Sequence, residues 1–383
     1  MPFRPAFLFI LFVLAALHAW IGWRILPDAS AAPLWQGLGA LWLLTSFLLI
    51  PTGLLASGIK RQPLSDRLAW AGMLAMGMFS SLLLLTIVRE LILLVASLAS
   101  LTGAMLADAA LPRWSARAVL LLTAASSLLG FFNARRLAQV VEVDVPITDL
   151  PAGLEGFTIA QISDIHVGPT IKHGYLQKIV NRVNSLQADV IAVTGDLVDG
   201  SVSRLSAHTA ALAHLKARHG TYFVTGNHEY YSNAHAWIAE LRRLKLTVLL
   251  NEHVVLVHGG SNLLLAGVTD YSAGHFDPAH RSDPHGALLG APANVDIKVL
   301  LAHQPRSAIA AAEAGFDVQL SGHTHGGQFF PWNFFVPLQQ PYTAGLNRLQ
   351  GLWVYTSRGT GYWGPPKRLW APSEITRLRL IRA

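Results

Sequence analysis

Five clusters in the C-terminal two-thirds of this 383-residue chain carry side chains that bind cations and move protons. They are Asp164-x-His166, Gly195-Asp196-x-x-Asp199, Gly226-Asn227-His228-Glu229, His303 and Gly322-His323-x-His325. Imidazole nitrogens mixed with carboxylate oxygens suit Mn, Fe, Zn or Ni, whereas Mg and Ca prefer all-oxygen shells. A carboxylate such as Asp196 can place one oxygen on each of two metals. Two cations about 3.5–4 Å apart can hold a bridging hydroxide and clamp a phosphoryl group for in-line attack. Gly195, Gly226 and Gly322 stand directly before Asp196, Asn227 and His323, where they permit tight turns and close backbone approach. Each motif alone is weak: Gly-Asp-x-x-Asp is a common turn, and Asn-His-Glu can simply start a helix. Their weight comes from occurring together. The other histidines, such as His173, His208, His214, His235 and His280, lack this context and are expected to face solvent or to pack.

The elements that must position these clusters show in the pattern around them. Apolar runs at 157–163, 190–194, 222–225, 297–302 and 318–321 each end at one of the five clusters, and helical patterns separate them. This alternation predicts an α/β domain. In open α/β sheets ligands bind beyond the carboxyl ends of the strands, so clusters distant in sequence are expected to converge. Upstream, 140–145 alternates as a strand does, and 146–156 is turn-rich. The expected organisation is a membrane domain over 1–136, a linker and edge strand over 137–156, and a catalytic domain over 157–383.

Composition sets the setting. Hydrophobic residues make up 52% of the chain and charged residues only 13%, against about 25% charged in soluble proteins. Mean hydropathy is +0.39. Residues 1–136 hold ten Lys/Arg and four Asp/Glu, a balance of +6; residues 137–383 hold nineteen and eighteen, a balance of +1. The near-neutral balance of the C-terminal part argues against a basic nucleic-acid-binding face. With no cysteine in the chain, disulfides, thiolate nucleophiles and Cys-based zinc sites are excluded. Apolar stretches over 6–26, 34–55, 68–101 and 116–132 approach the ~20 residues that cross a bilayer. A cleavable signal peptide is the rival for the first, but its apolar run is too long. The third is read as one long helix whose Arg89–Glu90 pair sits near an interface or faces the bundle, with a break into two crossings as the alternative. His18 is expected near an interface. With four crossings, Arg4, Lys60, Arg61, Arg67, Arg135 and Arg136 share one side, and Arg24, Arg113 and Arg117 the other. The positive-inside rule then puts the C-terminal domain in the cytoplasm.

Taken together, the five clusters resemble the signature of calcineurin-like metallophosphoesterases, over about Phe157 to the C-terminus. Helices followed by this domain resemble the bacterial membrane-linked branch of that family. The resemblance implies a sandwich of two mixed β-sheets flanked by helices, and a hydrolase of phosphodiester or pyrophosphate bonds. It implies that Asp164, His166 and His325 bind one metal, that Asn227, His303 and His323 bind a second, and that Asp196 bridges them. His228 would protonate the leaving oxygen, with Asp199 orienting it. Some relatives resemble pyrophosphatases of acylated nucleotide sugars. The aromatic residues Phe329, Phe330, Trp332, Phe334 and Phe335, with Trp353, Tyr355, Tyr362, Trp363 and Trp370, are therefore read either as core or as a rim for a lipid-linked phosphoester such as an acylated UDP-sugar. Arg358 is a candidate for a second phosphate. The expected setting is a bacterial-type inner or plasma membrane. The alternative is a non-catalytic membrane sensor or scaffold with a vestigial domain.

Overall fold

A computed structural model describes residues 5–101 and 109–383 of the chain; Arg4 lies outside the described residues. Two compact units emerge. One comprises the helices up to Phe132 together with Gly364–Lys367, and the other comprises Asn133–Trp363 and Arg368–Ala383.

In the helical unit, α1 (Pro5–Ala29), α2 (Pro33–Leu55), α3 (Leu64–Leu101) and α4 (Leu111–Arg135) are each long and apolar enough to cross a membrane. Pro33 opens α2, where a missing N–H costs nothing. α3 runs unbroken through Arg89–Glu90 for 38 residues. At 1.5 Å per residue it is about 57 Å long, well beyond the ~30 Å hydrocarbon core. Arg89 is only 2% exposed, which would be costly without partners. It donates to Glu90 Oε1 at 2.6 Å, to Pro112 O, Arg24 O and Ser115 Oγ at 3.1 Å, and to the Asp28 carboxylate. Arg24 Nε in turn donates to Glu90 Oε2 at 2.8 Å. The pair therefore faces the bundle and ties α1, α3 and the start of α4.

His18 corrects the expectation of an interfacial position. It lies mid-helix and buried, stacked on Phe79 at 4.1 Å, with Nδ1 2.8 Å from Leu14 O and Nε2 3.2 Å from Ser46 Oγ. Its ring is apolar enough on both faces to pack once its nitrogens have partners.

The second unit is a sandwich of two mixed six-stranded sheets. The first sheet takes, in chain order, β1 (Gln139–Ile147), β2 (Thr158–Ile162), β3 (Val190–Thr194), β4 (Thr221–Val224), β5 (Thr247–Val248) and β12 (Glu374–Arg382), in the spatial order β1-β12-β2-β3-β4-β5. The second takes β6 (Glu252–His258), β7 (Ser261–Gly267), β8 (Ile297–Leu301), β9 (Val318–Ser321), β10 (Gly345–Leu349) and β11 (Leu352–Thr356), in the order β10-β11-β9-β8-β7-β6. β2 to β5 pair in parallel, as do β7, β8, β9 and β11.

The continuous apolar runs follow from burial on both faces. Ile159, Val190 and Ala192 point between the sheets with Leu265, Val299, Leu301 and Leu320. Their neighbours Ala160, Ile191 and Val193 point outward in one cluster with Leu176, Ile179 and Val183 of α5 (His173–Ser185), Leu205 of α6 (Val202–Thr209), and Trp237 and Leu241 of α8 (Ala234–Arg243), with α7 (Asn227–Tyr231) between α6 and α8 in the chain. On the far face, Ala308 and Ala311 of α9 (Ala308–Glu313) cover Leu264, Leu300 and Val354. The parallel strands of both sheets thus end on one edge of the sandwich, and the five clusters sit there.

Candidate metal centre

The clusters leave the strand ends in backbone conformations that few side chains adopt. Asp164, His166, Asp196, His323 and His325 all have positive φ, between 50° and 71°. Non-glycine residues rarely occupy this region, and where several do, they gather at functional sites. Surrounding contacts hold the strain. Asp164 N–H donates to Gly195 O and His166 N–H to Asp196 O, both at 3.1 Å. His323 N–H donates to Asp164 Oδ1 at 2.9 Å. A Cβ on Gly322 would collide with Ser163 Oγ and Asp164 Oδ2, and one on Gly226 with Asp196 Oδ1. Close approach, expected from sequence at both glycines, is what permits adjacent loops to share carboxylates.

Three overlapping groups of donors form, two of which match the predicted ligand sets; the remaining one joins His166, Asp196 and His228. In the first of the matching two, one donor atom each from Asp164, His166 and His325 lie within 4.8 Å of one another; in the second, those of Asp196, His303 and His323 do. His166 Nε2 is 3.1 Å from His325 Nε2, and His325 Nε2 is 3.5 Å from Asp164 Oδ1. His303 Nδ1 donates to Thr194 O at 2.8 Å, which leaves Nε2 to face Asp196 Oδ2 at 3.1 Å and His323 Nδ1 at 3.2 Å. Asp196 Oδ2 is also 4.0 Å from His166 Nε2, so this carboxylate lies between the groups. Asn227 starts α7 (Asn227–Tyr231); its side chain is buried and its Oδ1 has no hydrogen-bond partner among the described residues.

His228 sits at the margin of the two matching groups. Its Nδ1 is 2.7 Å from Asp199 Oδ1, and the same oxygen is 3.0 Å from His166 Nδ1. Asp199 therefore orients two imidazoles where sequence reading assigned it one. All the predicted site residues converge, and none is left elsewhere on the surface.

Electrostatics show what the pocket can hold. Burial pushes Asp164 above the usual carboxylate range. Burial and the Asp196 charge push Glu229 up to about 8. Burial also raises Asp196 and Asp199, but the facing imidazoles outweigh it and hold both well below the ordinary value. Burial lowers His228, yet contact with Asp199 and the charges of Asp196 and Asp199 carry it up to about 9. Burial and the His303 charge take His323 down to about 3. A neutral imidazole, an orphaned amide oxygen and several desolvated carboxylates are the donor set that divalent cations satisfy. The residues present fit two such ions.

Several contributors went unread in the sequence. Glu229 is fully buried, and its carboxylate accepts N–H bonds from Gly226 at 2.7 Å, Leu197 at 2.8 Å and Asp196 at 3.0 Å. It stitches two ligand loops together. The sequence showed it only as the end of a motif. Arg368, also buried, donates to the carbonyls of Arg358, His325, Ala371 and Gly361, and its Nη2 lies 3.1 Å from His325 Nδ1. No local pattern announces it. Trp363 sets its ring 5.5 Å from that of His228, and Gln328 pins the Trp363 backbone through two 2.8 Å bonds. Arg358, a candidate for a second phosphate, instead pairs with buried Glu374 at 2.7 Å. The aromatics divide: Phe329, Tyr355 and Tyr362 are buried, whereas Trp332, Phe334, Phe335, Trp363 and Trp370 are exposed.

Comparison with known proteins agrees with the geometry. Residues 157–327 match the family model of calcineurin-like phosphoesterases. The chain is 39% identical over 272 residues to a zebrafish (Danio rerio) transmembrane protein with metallophosphoesterase domain, covering 69% of this chain and 62% of that protein. It thus spans under two-thirds of that relative's length. It is 38% identical over 257 residues to an uncharacterized metallophosphoesterase of Helicobacter pylori, covering 66% of each. It is 32% identical over 242 residues to an uncharacterized metallophosphoesterase of Aquifex aeolicus, covering 62% of this chain and 89% of that one. The chain belongs to the calcineurin-like phosphoesterase family and is membrane-associated.

Proposed function

We propose that this member of the family is a membrane-anchored hydrolase of phosphodiester or pyrophosphate bonds, in which Asp164, His166 and His325 hold one divalent transition-metal ion and Asn227, His303 and His323 a second, with Asp196 shared. The observation that carries the reading is the shared placement of Asp196 between two donor groups, beside an orphaned Asn227 oxygen. Bound there, two cations would offset the negative charge of a phosphoryl group and acidify water.

The chain's own residues supply the rest. His228 Nδ1 is engaged by Asp199, so Nε2 is the atom free to give a proton. A phosphoester's leaving oxygen needs that proton. The Asp199 contact favours the charged imidazolium, and Asp196 Oδ1 accepts the His228 backbone N–H at 2.9 Å, which fixes where the ring stands. The Trp363 and Tyr231 rings lie edge-on to it at 5.5 and 5.1 Å and limit its rotation.

The substrate we favour is lipid-linked, an acylated nucleotide sugar being one such class. Supporting it, Trp332, Phe334, Phe335, Leu338 and Trp370 expose between 48% and 79% of their surface in the segments that follow His325 and Arg368. Exposed apolar patches of this kind mark binding surfaces. The excess of Lys/Arg in alternate loops supports a catalytic domain on the cytoplasmic side. The residue spans 1–136, 137–156 and 157–383 serve as anchor, linker with edge strand, and catalytic domain.

The test is hydrolysis by the full chain in detergent with Mn²⁺, measured on bis-p-nitrophenyl phosphate and on a lipid extract. Chelation should abolish both activities, and Mn²⁺ should restore them. Metal-independent turnover, or none with two ions bound, would overturn the proposal. Activity confined to small soluble diesters would remove the lipid-linked substrate alone.

A further inference from the structure

Three side chains outside the candidate centre converge in the same unit. His235 lies in the first turn of α8, and Asp277 and His280 lie in the segment after β7. One donor atom from each lies within 4.8 Å of the others. His235 Nε2 is 2.9 Å from Asp277 Oδ2, and the His235 and His280 rings are 4.8 Å apart. Sequence reading left both histidines as solvent-facing or packing residues, since neither stands in a motif.

One further atom of Asp277 and one of His280 already have partners. Asp277 Oδ1 accepts the Ala279 N–H at 3.0 Å, so Oδ2 is the oxygen that faces His235. His280 Nδ1 is 2.9 Å from the Tyr230 hydroxyl, which lies 3.4 Å from Thr225 Oγ1. This contact occupies Nδ1; in the tautomer that carries the proton there, the Tyr230 oxygen accepts it and the lone pair falls on His280 Nε2. Metal-binding histidines are held by such a contact on the second nitrogen. The His280 carbonyl is anchored by Thr269 Oγ1 at 2.7 Å. Asp277 begins the short turn Pro278–His280, so the backbone sets its spacing from His280.

We propose that His235, Asp277 and His280 form a third cation site, distinct from the two-metal centre, for a borderline divalent ion such as Zn²⁺, with solvent at the fourth position. Tetrahedral zinc with nitrogen and oxygen ligands at 2.0–2.2 Å sets its donors roughly 3.4 Å apart. The 2.9 Å contact between His235 and Asp277 would open by about half an ångström on binding, and the His280 donor would settle to the same spacing from within 4.8 Å. The side chain of His235 is 68% exposed, which gives the ion an entry path. An ion here would clamp α8 to the segment carrying Asp277 and His280. Through Tyr230 it would brace α7, the helix that carries Asn227 and His228.

Metal-stripped full-length protein in detergent, equilibrated against buffered Zn²⁺ and counted by elemental analysis, tests this. Wild type should bind one equivalent more than His235→Ala, Asp277→Asn or His280→Ala. Tyr230→Phe should weaken that equivalent about 10-fold, as loss of a ligand's supporting contact does. With Co²⁺ in place of Zn²⁺, the visible spectrum of wild type minus His280→Ala should show a separate tetrahedral band. Equal metal content in wild type and His235→Ala, whose exposed side chain can be removed without disturbing the core, would overturn the proposal. Because the readout is the difference of one equivalent, it stands or falls separately from the two-metal centre.

Discussion

At the scale of single residues, the pocket concentrates charge that the chain alone leaves unbalanced, and three side chains regulate it. His228→Ala should keep both metals but lose turnover by about 10²–10⁴-fold, the worth of a lost general acid. Metal analysis beside a rate assay checks this, and near-normal turnover would remove His228 from the chemistry. Asp199→Asn has a signed consequence. In the proposed role His228 acts while protonated, so activity should fall as pH rises through its pKa. Asp199 helps to raise that pKa to about 9. Its replacement should shift the basic limb of the kcat/KM profile to lower pH, by roughly 1–3 units for loss of a contacting opposite charge. An unmoved limb would assign the proton to another group. Glu229→Ala should destabilise the domain by roughly 3 kcal/mol, since three buried N–H donors lose their acceptor. Thermal unfolding of metal-free protein would show this without any activity readout.

At the scale of elements, the sandwich serves to end parallel strands of two sheets on one edge. The price is left-handed backbone at five of the seven proposed ligands, Asp164, His166, Asp196, His323 and His325. Loops so constrained tolerate little added volume. Gly322→Ala would press a methyl against Ser163 and Asp164. An overpacked site of this kind costs about 1–3 kcal/mol, and the displaced Asp164 should weaken metal binding as well. Elemental analysis of the purified variant measures this directly; full metal content would mean that the loops can separate without harm. The inward and outward alternation of Ile159/Ala160 and Val190/Ile191 explains why short strands can hold such loops. Each strand is locked from both sides.

At the scale of the whole molecule, an apolar helical unit precedes a nearly neutral phosphoesterase-family unit. The Arg89 network, which satisfies a buried guanidinium from three helices, makes the helical unit a self-consistent bundle. The chain has no cysteine, so a single Ser201→Cys in an exposed turn reports topology without background. A membrane-impermeant maleimide should label it only after the membrane is opened. Labelling of intact cells would place the phosphoesterase-family unit on the outer side.

Much of this was legible before any coordinates. Metal-ligand chemistry is local: a carboxylate and an imidazole two residues apart at the end of an apolar run mark a candidate strand end and site, so the five clusters stood out from order and spacing, and the family resemblance then assigned ligand roles to Asp164, His166, Asp196, Asn227, His303, His323 and His325. Hydrocarbon length likewise writes itself into composition, and the four apolar helices followed. What tertiary structure alone decided were relations between residues far apart in the chain. Glu229 bonding to the Asp196 loop, Arg368 behind His325 and the His235–Asp277–His280 cluster carry no linear signature, because any chain separation can close once strands and helices pack. His18 was misplaced for the same reason: hydropathy measures how apolar a segment is, but which of its faces meets another helix depends on the partners that surround it.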